Sequence, residues 1–368
     1  MLYHRGRRLP GCVATTHAGG SDSARNEKGV TASTKERRLD LHVGEWVEVR
    51  SAAEIRATLD PNDQTIDRLP FMPEMLQYCG KRFRVYKTAH KTCDTVKDYN
   101  IRRLDEAVHL EGLRCDGSGH AGCQAGCLLY WKEAWLRRVD GPGEEKPADA
   151  LGAEAWPQLT AATLTSTGGT GETLYRCQAT DLLLFTREVR RRERFDPRFY
   201  LKDLTHGNVG LWTFLRYGLL AMFNAFTARW FNRRYPHLCG VAGKQQPVVR
   251  TNVQPGEMVR VKSKAEIEKT LGSNMRNRGL HFDVEMVPFC KDGSHRVLTR
   301  VERIVDEKTG RLIQLPNPCL ILEGVTCSGL LSSSRMFCPR NIYPYWREAW
   351  VDRLDTSART DGEHGHRD

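Results

Sequence analysis

The chain contains no run of 18 apolar residues free of charge, so it offers no conventional membrane-spanning helix. Its N-terminus lacks the apolar segment, roughly 7–15 residues long, of a secretory signal. No short repeat of the collagen, coiled-coil or low-complexity kind is present. Twelve cysteines in 368 residues fall well below the density of a disulfide scaffold, and a chain this long buries a core without covalent staples. No Ser-His-Asp arrangement can be read from spacing, because triads assemble only in space. No aromatic RNA-binding signature accompanies the basic runs.

What is present is ordinary globular composition with a basic excess. Hydrophobic residues make 40% and charged residues 27%, which excludes disorder throughout. The length fits two domains of roughly 150 residues. The net charge of +11 gathers in residues 5–8, 187–198 and 229–234. Such clusters suit nucleic acid, acidic lipid or an acidic protein partner, and a solvated surface is the plainer reading. Without a secretory signal, a cytoplasmic, reducing compartment is expected. There cysteines serve as thiols, metal ligands or redox groups.

An internal repeat is the strongest signal. Residues 44–60 match residues 256–272 at ten of 17 positions. Phe71, Glu74, Met75 and Cys79 then match Phe282, Glu285, Met286 and Cys290. Arg84 and Val85 match Arg296 and Val297, and residues 110–112 with Cys115 match residues 322–324 with Cys327. Tyr130, Trp131, Glu133, Ala134 and Trp135 match Tyr345, Trp346, Glu348, Ala349 and Trp350. The order is kept and the offset stays between 211 and 215. A period this long indicates a duplicated module of about 100 residues rather than a solenoid.

Each copy reads alike. Val47 and Val49, like Val259 and Val261, alternate with polar residues, which predicts a half-buried strand. Ser51 with Glu54, and Ser263 with Glu266, form capping boxes that open short helices over residues 52–59 and 264–271. Residues 296–304 and 311–315 flank a turn at Asp306–Gly310, a hairpin signal. The Trp pairs at i,i+4 predict a closing helix with both rings packed in the core. Glu133 and Glu348 recur beside them, as helix-face ion-pair partners or as carboxylates aimed at the cysteines. The start Gly-x-x-Val-x-Val-x-Ser, with Arg300-Val301 running to Ile304, Asp306, Glu307, Thr309 and Gly310, resembles SH3-like small barrels of the KOW type. Such barrels often bind nucleic acid or protein. The expected fold is therefore α+β: two homologous SH3-like small β-barrel modules with appended helices and a helical insertion between them.

The organisation follows. Residues 1–40 read as a disordered basic N-terminus, 41–140 as the first module, 141–245 as linker and helical insertion, 246–355 as the second module, and 356–368 as a disordered tail. Residues 181–194 look helical. Residues 167–172 resemble a phosphate loop only loosely, lacking its Gly-Lys-Ser/Thr ending. Residues 210–231 are strongly apolar with basic flanks, which fits an interfacial helix. A core helix is the favoured reading, because Arg216 would be costly in a bilayer centre.

The cysteines carry the chemistry. Cys115, His120, Cys123 and Cys127 lie within 13 residues among glycines, and glycine lets a loop fold around a central atom. The spacing C-x7-C-x3-C is neither a C-x2-C knuckle nor a ferredoxin run. Zinc takes four such ligands and an iron–sulfur cluster takes four thiolates. The expected set is Cys93, Cys115, Cys123 and Cys127, with Cys79, His90 and His120 as further donors. The second copy retains Cys290, Cys327 and Cys338. Buried thiols packing as small apolar groups are the plainer alternative, best suited to Cys79 and Cys290. The leading expectation is a metal-binding protein, zinc or iron–sulfur, with a redox or accessory role in a biosynthetic pathway. The alternatives are a basic small-barrel module for nucleic acid or an acidic protein partner, and peripheral membrane contact through residues 210–231.

Overall fold

The valine alternation places Trp46–Val49 between two antiparallel neighbours, Arg82–Thr88 and Leu136–Val139. The computed structural model describes residues 39–143, 156–166, 172–190, 192–231, 233–243, 246–290 and 293–354. The N-terminus through residue 38, the linker at 144–155, most of the Gly-rich loop at 167–171 and the tail lie outside the described residues. The chain mixes helix and strand, an α+β composition.

The first sheet has five strands in the order Trp131–Lys132, Ala107–Leu110, Arg82–Thr88, Trp46–Val49, Leu136–Val139. Its two edge strands are consecutive in sequence, joined only by the 3-10 turn Glu133–Trp135. In a flat sheet four spacings of ~4.8 Å would hold these edges ~19 Å apart. The four Cα steps from Lys132 to Leu136 reach ~14 Å at most. The sheet therefore curls into a half-barrel. Trp131 and Trp135 fill it, with Phe71 set edge-on against Trp135 at 5.2 Å. The predicted closing helix is thus a strand, a turn and a strand, while the expected burial of both rings holds.

The second copy uses the same register. Val259 pairs with His295 and Arg353, as Val47 pairs with Phe83 and Arg138. A register shift follows Val85 in one copy and Val297 in the other. Phe282 meets Trp350 at 5.2 Å, and the indole of Trp350 donates to Thr270 as that of Trp135 does to Thr58. Both capping boxes form, over Ala52–Arg56 and Lys264–Glu268. The hairpin turning at Asp306–Gly310 joins Ser294–Val305 to Leu312–Leu322. Glu133 accepts the backbone N–H groups of Leu39 and Asp40, and Glu348 those of Thr251 and Asn252. Each glutamate ties down the chain entering its own copy, and neither faces the cysteines.

The segment between the copies departs from its expectation in two places. Among the described residues of 181–194, only Leu182–Phe185 forms an α-helix, and Arg187–Glu188 instead adds a strand to Ile101–Arg103. Trp156, Leu159, Leu182 and Phe185 join the first hydrophobic core, so this stretch completes that core rather than linking. Leu211–Phe231 is a 21-residue helix as predicted, but it is not a core helix. Its large side chains point outward, with Trp212 83% exposed. Among the described residues no helix is long and apolar enough to cross a membrane.

Candidate metal centre

A 3-10 helix, Pro73–Tyr78, presents Glu74 inward from the first copy. Facing it is the loop that begins at Cys115. Gly117 and Gly122 take positive φ there, and a Cβ at Gly117 would overlap the Cys123 carbonyl. This tight turn brings His120 back onto Cys115, whose Sγ lies 3.3 Å from His120 Nε2 and donates to Glu74 Oε1 at 3.2 Å. One donor atom from each of Glu74, Cys115 and His120 lies within 4.8 Å of the other two. Glu74 Oε2 and His120 Nδ1 are buried without hydrogen-bond partners. A Cβ on Gly119 would stand 2.5 Å from Glu74 Oε2, so any other residue there would displace that oxygen from its present place.

Burial dominates the electrostatics. It raises the Glu74 carboxyl and the Cys115 thiol above their ordinary ranges, with Glu74 adding to the effect on Cys115. It lowers His120, against the pull of Asp116. Burial thus biases all three donors toward their neutral forms. The site borders a cavity of about 40 Å3 that is also lined by Cys123, Cys127, Cys177 and Arg340. Such a volume exceeds the roughly 10–15 Å3 that one water needs. Burial pushes the Cys127 and Cys177 thiols each up to about 12.

The second copy repeats this backbone with different side chains. Phe337 N–H bonds to Gly329 as Gly122 N–H does to Gly117, and Cys338 N–H bonds to Arg335 as Cys123 N–H does to His120. Arg335 therefore occupies the histidine position. It turns away to Asp283, with two contacts of 2.7 Å. Glu285, the counterpart of Glu74, accepts from Ser328 and from the backbone of Leu330, Leu331 and Ser332. Its oxygens are saturated by the longer loop, where those of Glu74 are not.

The two copies grip each other reciprocally. Cys123 Sγ accepts Val305 N–H at 3.3 Å, and Cys338 Sγ accepts Cys93 N–H at 3.2 Å. Cys93 and Val305 are themselves equivalent positions, 212 residues apart. Each hairpin thus reaches the cysteine loop of the other copy. Arg340, fully enclosed, donates to the Cys93 carbonyl, to Thr95 and to Glu307, and Thr95 also bonds Glu307.

Cys115, His120, Cys123 and Cys127 line one cavity, but of these only Cys115 and His120 stand, with Glu74, within ligand distance of one another. The other candidates lie elsewhere. Cys93 sits beside Cys338, whose hydrogen bond draws its thiol below the ordinary value. Cys338 rises through burial and that same bond, and Cys327 is raised by burial with Glu285 and Cys93 adding to it. His90 faces Asp203, which also pairs with the buried ammonium of Lys91. Cys79 packs in the first core and Cys290 against the second. None of the described cysteines forms a disulfide. Glu74, Cys177 and Arg340 were not read as site residues. The recurrence of Glu74 at Glu285 was the available signal. A larger cleft of about 300 Å3 near Arg250, Arg278 and Arg347 carries no thiol or imidazole. No protein-family model, curated protein or solved structure matches the chain.

Proposed function

We propose that this is a metal-binding protein whose first copy holds one divalent cation of the zinc class through Cys115, His120 and Glu74. The observation that carries the reading is the contrast between the copies. Glu74 and His120 keep buried, unpartnered donor atoms beside a thiol, whereas Glu285 is saturated and Arg335 replaces the histidine. Sulfur, nitrogen and oxygen donors together suit zinc, and three protein ligands leave a fourth position for water, as zinc sites that do chemistry keep. An iron–sulfur cluster asks for four thiolates, and the packing of Cys93 against Cys338 supports zinc over that alternative. On the same reading the two curled sheets are duplicated SH3-like small barrels. Their short edge-to-edge turns and shared register support this.

The test is metal and acid-labile sulfide content of protein purified without oxygen, with a visible spectrum. The expected result is one zinc-class ion per chain, no sulfide and no colour. Cys115→Ser and His120→Ala should each lower the stoichiometry, and Cys327→Ser should leave it unchanged. Iron with sulfide, or equal loss in all three variants, would overturn the assignment.

A further inference from the structure

The helix Leu211–Phe231 is apolar almost all round and leaves much of that surface exposed. Its inner face is pinned: Phe214 stacks on Phe337 at 5.3 Å, and the buried Asn224 makes two 2.7 Å hydrogen bonds to the backbone of Tyr235. It cannot roll to hide its other side. That side carries Trp212, Leu215, Leu219, Met222, Phe223, Phe226 and Trp230, all exposed, with Met222 at 70% and Trp230 at 69%. At 100° per residue these seven fall within an arc of about 100°. Arg216 and Arg229 lie about 20° beyond its two margins on the same construction. So wide an exposed apolar stripe on one element marks an interaction face.

Charge identifies the occupant. Between Asp203 and Glu257 the chain carries no Asp or Glu, yet it holds Arg216, Arg229, Arg233, Arg234 and Arg250. A second copy of the chain would bring arginine margin against arginine margin with no carboxylate to answer. A bilayer leaflet rich in acidic lipid answers both the apolar stripe and the cationic margins.

We propose that this helix lies in the plane of an anionic lipid surface, its apolar stripe among the acyl chains and its arginines at the headgroups. The inference is independent of the metal reading. The test is flotation of the full chain with vesicles of phosphatidylcholine alone and with 30% phosphatidylserine. The protein should float with the anionic vesicles and far less with the neutral ones. Arg216→Gln should lower the partition by about fivefold, the worth of one basic residue near such a surface. Leu215→Glu/Phe223→Glu should abolish flotation, while far-ultraviolet circular dichroism and metal content stay unchanged. Folded protein that ignores anionic vesicles would overturn the proposal. So would flotation that survives the double glutamate variant. So would wild-type dimers that the same variant converts to monomers, or a stoichiometric complex with a soluble acidic protein formed in place of vesicle binding.

Discussion

His109 lies fully buried on the strand Ala107–Leu110, its ring tilted against Tyr130 at 4.6 Å. Its Nδ1 lies 2.9 Å from the Leu129 carbonyl and Nε2 is buried without a partner. Burial drives its pKa down to about 4, against about 6.5 in the unfolded chain. Between those values the unfolded chain binds the extra proton, so stability rises with pH across the window and is lost as pH falls through it. At pH 4.5 this one group should cost about 2–3 kcal/mol relative to pH 8. His90 and His120 are also lowered by burial and act in the same direction. A variant is therefore needed to isolate the contribution. Urea denaturation of wild type and His109→Gln at pH 8, 6 and 4.5 provides it. The wild type should lose about 2–3 kcal/mol more than the variant between the extremes. Parallel pH profiles would refute the reasoning, since they would mean that the folded protein accepts the proton at His109 as readily as the unfolded chain does.

Four further outcomes follow from the same contacts. Gly119→Ala removes no ligand but drives a methyl toward Glu74 Oε2; metal content should fall while the thermal midpoint in chelator stays close to wild type. Glu285→Gln should cost about 2 kcal/mol or more in chemical denaturation, because it weakens charge-assisted bonds to three backbone N–H groups. In chelator, Glu74→Gln should change stability by under about 1 kcal/mol, because its burial already favours the neutral form. Arg340→Met strands Glu307 and the Cys93 carbonyl between the copies and should cost about 3 kcal/mol by the same measurement.

Much of the first-order fold was legible because it is local. Ser51 with Glu54 and Ser263 with Glu266 each encode a helix start within four residues, and Val47 with Val49 encodes a strand face. The loop from Cys115 to Cys127 was legible for the same reason, since its glycines and donors are neighbours in sequence. What escaped is what depends on distant pairing. Cys93 was grouped with Cys115 by proximity in sequence, yet the hairpin that carries it crosses to Cys338. Glu74 enters the site from a separate 3-10 helix, 41 residues before Cys115. The Trp131 and Trp135 spacing suits a helix equally well, and only the curl of the sheet decides for a strand–turn–strand. Residues 210–231 read as a core helix because Arg216 is costly in a bilayer centre; here Phe214 and Asn224 fix the helix with its larger side chains outward.

The measurement closest to the central claim is an anomalous difference map at the zinc edge, from crystals of protein purified without oxygen. The account predicts one peak on the first copy, about 2.0–2.3 Å from Cys115 Sγ, a His120 ring nitrogen and a Glu74 carboxylate oxygen. A peak between Cys93 and Cys338 instead, or no peak in zinc-loaded protein, would contradict it.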